Sequence, residues 1–244
     1  MTLPAVPALW RAWQNAGAIV PNIKLAISAG APLPLNLEAD IYHQCGLKVH
    51  NFYGASECGG IGYDSTETPR TEAGCIGRPL QNVAVSVAED GCLEVRSRAV
   101  AQTYLPKSIR TLANGCYRTS DVAELVDGVI YLRGRAGDLI NVAGRKVAPE
   151  VIERVLAEHP CVRDCLVFGF PDDKAERGEL IIACIALNGP VSADALRKFS
   201  LSRLPDWQVP RDWWFVEALP VNERGKLSRA DWRRKYGEMK GALR

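Results

Sequence analysis

The sequence predicts an α/β sheet, continued by a β-rich region and followed by a small α+β domain. Three observations carry that class. The runs IKLAIS (23–28) and LKVHNFY (47–53) are β-rich, each ends near a glycine turn, and a helical pattern separates them. From Gly74 to Arg135 the pattern changes to short strands with frequent turns. Beyond Arg135, helical stripes and strands alternate again.

Taken in order, Pro7 opens a helix through Trp13 and Gly17 ends it, the usual proline-first, glycine-last asymmetry. Residues 23–28 form a buried strand running into the Gly30-Ala31-Pro32 turn. A second helix runs from about Leu35 to Cys45, with Gly46 as its stop. Residues 47–53 alternate and make another strand. In the middle region LEVRS (93–97) is a strand, and Asp127-Gly128 between AELV and VIYLR signals a two-residue hairpin. Pro149 then starts a helix whose Val151, Ile152, Val155 and Leu156 make one apolar stripe. CVRDCLVFGF and LIIACIAL follow as strands, joined by the polar loop PDDKAERGE. Ser192 caps a helix carrying Leu196 and Phe199, WWFVE (213–217) closes a small sheet, and Ser228 caps a final basic helix. Gly134, Arg135 and Gly137 interrupt the patterned segments, which sets domains of 1–136 and 137–244.

Composition excludes several classes. Hydrophobic residues make up 47% and charged residues 24% of the 244, ordinary for a globular chain. A formal net charge of +2 gives no field favouring nucleic acid or an anionic membrane. The start lacks a basic segment followed by a long apolar run, and no apolar stretch reaches membrane-spanning length, so the chain reads as cytoplasmic. The cysteines at 45, 58, 75, 92, 116, 161, 165 and 184 contain no CxxC and read as reduced, buried thiols. His43, His50 and His159 form no ligand pattern.

Three glycine-punctuated segments share one design, in which a strand ends and a turn presents backbone and polar groups at the edge where α/β sheets bind nucleotides. SAGAPLP (28–34) alone is a common structural turn. NFYGASE (51–57) is sharper: an aromatic, a glycine, a hydroxyl and a carboxylate can stack a base, contact a phosphate and hold a divalent cation. YRTSDVAEL (117–125) adds Asp121, suited to ribose hydroxyls, although a lone Asp there also reads as a turn starter. GRAGDLINVAGRKVAPEVIE (134–153) and LPVNERGKLSR (219–229) complete the set. A lone loop lysine such as Lys226 is more often a solvated surface charge.

With these five motifs in this order, the chain resembles the C-terminal portion of the adenylate-forming superfamily of acyl- and aryl-CoA synthetases, peptide-synthetase adenylation domains and luciferases, from about Val6 to Tyr236. The resemblance implies an ATP-dependent acid–CoA ligase working through an acyl-adenylate, with ATP or AMP, Mg²⁺ and coenzyme A as cofactors. It implies a truncated nucleotide-binding sheet and a C-terminal mobile lid. Gly30, Ala31 and Pro32 would line adenine, and Tyr53, with Gly54, would pack against the base or acyl group. Ser56, where the family usually has threonine, would touch phosphate, and Glu57 would hold Mg²⁺. Asp121 and Arg135 would hold the ribose hydroxyls; Ser120 stands where the family usually has glycine. Lys226 would be the catalytic lysine. Gly137 stands where the hinge is usually Asp or Lys. Gly144 would lie along the thiol's approach, with Arg145 or Lys146 meeting a CoA phosphate.

The family's phosphate-gripping loop is not in this sequence. Partners are therefore a carboxylic acid, CoA or a carrier-protein thiol, and a complementary N-terminal polypeptide or a second copy. Two other readings stay open: a minimal transferase using preformed acyl-adenylate, and a non-catalytic AMP- or acyl-adenylate-binding module.

Overall fold

The computed structural model describes residues 1–104, 112–171, 178–220 and 227–242. They form two compact units, Met1–Arg133 and Gly134–Arg244, where the sequence pattern sets its boundary between 136 and 137.

The first unit opens with β1 (Thr2–Ala5), α1 (Pro7–Asn15), β2 (Leu25–Ser28), α2 (Leu35–Cys45) and β3 (Val49–Ala55). These three strands pair in parallel, β1 with β2 and β2 with β3, and the helices are the crossovers that parallel pairing requires. Trp10 of α1 and Leu37 and Ile41 of α2 bury against Ala26 and Val49. The segment ahead of Pro7 adds a strand to those expected from the sequence, and β1 lies at the sheet edge, where Pro4, which lacks a ladder donor, is tolerated. Gly46 ends α2 in the left-handed region, as its position after the periodic stretch predicts.

Antiparallel strands then continue the sheet: β4 (Gly59–Tyr63), β5 (Cys75–Pro79), β6 (Ala84–Val87), β7 (Cys92–Arg96), β8 (Leu112–Ala113), β9 (Cys116–Val126) and β10 (Val129–Arg135). The ten-stranded sheet has the path β1-β2-β3-β4-β5-β10-β9-β7-β6, with β8 beside β9. Asp127 and Gly128 both take positive φ, the primed turn predicted for the β9–β10 hairpin. Ile61, Leu93, Val95 and Ile130 are fully buried beneath these strands.

The second unit holds the hairpin β11 (Ile140–Val142) and β12 (Arg145–Val147), then α3 (Pro149–Ala157), β13 (Val162–Pro171), β14 (Glu179–Leu187), α4 (Ala193–Leu201), a short 3₁₀ turn, β15 (Asp212–Val216) and α5 (Arg229–Ala242). β14 is the middle strand of its sheet, antiparallel to β13 and parallel to β15. Its successive side chains point to opposite faces, and both faces are covered. Ile181, Ala183 and Ile185 join the core under α3 and α4, while Ile182, Cys184 and Ala186 join Trp232 and Tyr236 of α5. That double burial explains the uninterrupted apolar run LIIACIAL. Ser192 Oγ accepts the Ala195 N–H at 3.2 Å, and Ser228 Oγ accepts the Asp231 N–H at 3.3 Å, the two caps read from sequence.

All eight cysteines are unpaired. Cys58, Cys92 and Cys184 are buried and Cys75, Cys116, Cys161 and Cys165 half-buried, while Cys45 at the end of α2 is exposed and departs from the buried thiols expected. Cys45 follows Leu37 and Ile41 on the same helical stripe but is the last residue of α2, so it lies beyond the packed part of that face.

Candidate functional site

In the first unit, β2 ends at Ser28 and the chain turns outward. Gly30, Ala31 and Pro32 are exposed, while the following Leu33 is buried. Gly30 has a φ of +85°, and an added Cβ would make only ordinary contact with Val6, so conformation rather than space calls for glycine there.

At the end of β3, Ser56, Glu57 and Cys58 form the turn into β4. Gly54 lies opposite Gly60 in this tight pairing, and a Cβ on it would come within 2.6 Å of the Gly59 carbonyl oxygen. The glycine thus lets two backbones approach closely between Tyr53 and the Ser56–Cys58 turn.

Tyr53 donates its hydroxyl to Asp121 Oδ2 at 2.5 Å. Along the sheet path β3 and β9 are four steps apart. A flat sheet would separate them by about 19 Å at the usual inter-strand spacing. The contact therefore requires the strands between them to curl. Asp121 sits in an irregular stretch of β9: from Cys92 to Glu94 on β7 the facing residues jump from Val122 to Arg118. Such an irregularity re-aims side chains. Thr119 Oγ1 fills it by accepting the Asp121 N–H at 3.0 Å.

Glu57 Oε1 accepts the Tyr104 hydroxyl at 2.9 Å. Burial pushes the Tyr53 hydroxyl well above the ordinary phenol range, and the Asp121 carboxylate adds to it. Tyr117 is pushed up to about 12 by burial, with Glu57, Tyr104, Cys58 and Asp121 contributing through their charge. Three tyrosines and two carboxylates thus share one region of this unit. Tyr53 and Tyr104 act as donors there, and the raised hydroxyls of Tyr53 and Tyr117 keep their protons.

The second unit carries the remaining described positions. Arg135 ends β10 and is exposed. Gly137 is exposed, with open space where a side chain would go. Gly144, with φ +86°, turns the β11–β12 hairpin and donates its N–H to Asn141 Oδ1 at 2.9 Å. Lys226 lies outside the described residues. Three residues beyond it, Arg229 donates to Asp138 Oδ2 at 3.1 Å, to both Glu153 oxygens at 2.9 and 2.8 Å, and to the Val167 carbonyl at 3.1 Å. Glu150 completes the cluster at 2.9 Å from the same guanidinium, and its buried Oε2 has no hydrogen-bond partner among the described residues.

Residue-type reasoning gave no role to Tyr104, Tyr117, Thr119 or Arg229. Tyr117, Thr119 and Asp121 stand at i, i+2 and i+4, a strand-face signal available in the sequence. Tyr104 and Arg229 reach their partners across 47 and 76 residues, and no local pattern announces that.

Two family profiles match this chain. The AMP-binding enzyme profile covers residues 1–105, and the AMP-binding enzyme C-terminal domain profile covers 151–226. The chain belongs to the adenylate-forming superfamily. Among relatives in this superfamily, the long-chain-fatty-acid–CoA ligase FadD13 of Mycobacterium tuberculosis is 30% identical over 231 residues, 88% of this chain and 45% of that protein. The o-succinylbenzoate CoA synthetase of Bacillus subtilis, solved with the acyl-adenylate OSB-AMP, is 27% identical with a TM-score of 0.85, covering 96% of this chain and 51% of that one. The amide bond synthetase McbA from Marinactinospora thermotolerans is 25% identical with a TM-score of 0.86, covering 97% and 52%. The chain thus spans about half the length of the adenylate-forming relatives it matches. Among the described residues no helix is long and apolar enough to cross a membrane.

The superfamily implies Mg²⁺. Among the described residues no group of three or more His, Cys, Asp or Glu side chains gathers as a metal cage. A single carboxylate such as Glu57 fits the way Mg²⁺ is commonly held, through one or two carboxylates with substrate phosphates and water supplying the other ligands.

Proposed function

We propose that this chain forms the nucleotide-facing part of an AMP-forming acid–CoA ligase. The observation that supports it best is the gathering of Tyr53, Glu57 and Asp121, from separate motifs, in one region of a unit matched by the AMP-binding profile. In this reading the Gly30-Ala31-Pro32 edge lines adenine and Tyr53 flanks the base or acyl group. Asp121, held by Tyr53, accepts from the ribose hydroxyls, and Arg135 is the second residue assigned to them. Ser56 donates to phosphate, and Glu57 is the protein ligand of Mg²⁺. When bound, the metal supplies positive charge to the phosphates.

The first step is attack of a carboxylate oxygen on the α-phosphorus of ATP, forming acyl-adenylate and expelling pyrophosphate. Two anions meet, and negative charge grows on the bridging oxygens. Lys226 neutralises that charge. The second step is attack of the CoA thiolate on the acyl carbon, expelling AMP. The part from Gly137 onward is the lid, with Gly137 as its hinge, and Gly144 lies along the thiol's path. The grip on the β- and γ-phosphates comes from outside these 244 residues, either from a complementary polypeptide or from further chain.

ATP–pyrophosphate exchange tests this reading, measured on the chain alone and with a polypeptide carrying the superfamily's N-terminal portion. Exchange restored by the complement supports it. A calorimetric titration showing no binding of AMP, ATP or acyl-adenylate would overturn it in favour of a non-catalytic module. Thioester formed from acyl-adenylate and CoA by the chain alone, with no exchange in either condition, would replace it with a minimal transferase.

A further inference from the structure

Four ionisable side chains lie inside the first unit, away from the residues assigned above. Glu38 of α2 is 0% exposed, Lys48 8%, Asp64 2% and Arg70 8%. Two positive and two negative charges balance, and each has a partner. Glu38 bridges Lys48 and Arg70, taking the Arg70 Nε at 2.8 Å and its backbone N–H at 3.0 Å. Lys48 also donates to Asp64 Oδ2 at 2.7 Å, and Asp64 Oδ1 accepts from the Thr66 N–H and hydroxyl.

An interior ionic set of this kind adds little net stability compared with apolar side chains of similar volume. Its geometry shows what it holds instead. The Arg70 guanidinium donates to the Leu33 carbonyl at 2.8 Å and to the Cys75 carbonyl at 2.9 Å. Leu33 directly follows the Gly30-Ala31-Pro32 edge. The Cys75 carbonyl, at the start of β5, also accepts Asn51 Nδ2 at 3.1 Å, and Asn51 lies two residues before Tyr53 on β3. One planar, five-donor group thus ties the glycine turn to the strands that carry the rest of the site. A lysine has no such fork.

We propose that Arg70 is a positioning residue for the 30–32 turn: braced by Glu38, it pins the Leu33 carbonyl to the start of β5 and so presents the exposed turn in one conformation to a purine base. The inference rests on the nucleotide-facing role proposed for that turn. The turn is exposed and begins with a left-handed glycine, so its ordering cost would otherwise fall on ligand binding.

Two variants test it. Arg70→Lys keeps the charge beside Glu38 but cannot span the same carbonyls. The double variant Glu38→Leu with Arg70→Met removes one charge of each sign and leaves the Lys48–Asp64 pair intact. Amide hydrogen exchange reads the turn without any nucleotide, and titrations with AMP, GMP and ribose 5-phosphate read the site. In variants that still unfold cooperatively, exchange at residues 29–34 should quicken about tenfold, the loss of one charge-assisted bond. Preference for AMP over GMP should fall by a similar factor, with ribose 5-phosphate affinity unchanged. Unchanged exchange, an unchanged base preference, or equal weakening of all three ligands would overturn the inference. A parent chain that binds no AMP would sink the nucleotide reading and this inference together, whereas a normal parent with unaltered variants sinks the inference alone.

Discussion

The Tyr53 hydroxyl lies 2.5 Å from Asp121 Oδ2, although the two residues are 68 positions apart and four strands apart along the sheet. The bond joins the end of the parallel region to the antiparallel region and brings two of the sequence motifs into contact. Tyr53→Phe removes only the donor. It should destabilise the chain by about 1.5–3 kcal/mol, the usual cost of losing a hydrogen bond to a charged group. Urea unfolding should show a lower midpoint at unchanged slope. A midpoint equal to the parent's would mean the bond contributes nothing to the curl.

Asp121→Asn keeps the shape of the side chain and replaces a charged acceptor with a neutral amide. AMP affinity should fall about tenfold, while 2′,3′-dideoxy-AMP should be nearly indifferent to the change. Calorimetry on both nucleotides separates the cases. Equal weakening would remove the ribose role.

Glu57→Gln retains a carbonyl oxygen for the Tyr104 hydroxyl but no charge for a cation. ATP affinity in the parent should strengthen with Mg²⁺; in the variant that gain should vanish while AMP affinity stays level. A titration with Mg²⁺ and with a chelator checks it. A variant that keeps the full Mg²⁺ effect would place the metal elsewhere.

Lys226→Ala should lower acyl-adenylate formation by about 10²–10³ in any exchange-competent assembly, the usual effect of losing one group that stabilises growing charge. Thioester formation from preformed acyl-adenylate should be spared. Single-turnover assays of each half-reaction decide it, and equal loss in both would remove the two-step division of labour.

Glu153 gives a pH dependence with a definite sign. Burial, reinforced by neighbouring Glu150, outweighs Arg229 and the Val167 N–H and pushes its carboxyl up to about 7 from 4.5. Between those values the folded chain keeps a proton that the unfolded chain releases. The stability from this group is complete below about pH 4.5 and is lost as pH rises toward 7. Glu153→Gln should flatten that decline, seen as the difference between parent and variant urea midpoints from pH 4.5 to 7.5. Parallel curves would show that Glu153 is ionised throughout the range.

By itself the sequence determined the local grammar: α2 with its Gly46 stop, the Asp127-Gly128 hairpin, the Ser192 cap and the doubly apolar run of β14. Each depends on backbone conformation or side-chain period, which neighbours in the chain dictate. It also supplied the five motifs through which the family is recognisable. Only the tertiary structure decided which of those residues meet. Tyr53 reaches Asp121 because the strands between them curl. Tyr104 reaches Glu57, Arg229 gathers three carboxylates, and Arg70 finds Glu38 and the Leu33 carbonyl. Such contacts depend on how strands twist and bury rather than on spacing, so charged residues such as Glu38 and Arg70 become interior partners only once the chain has folded.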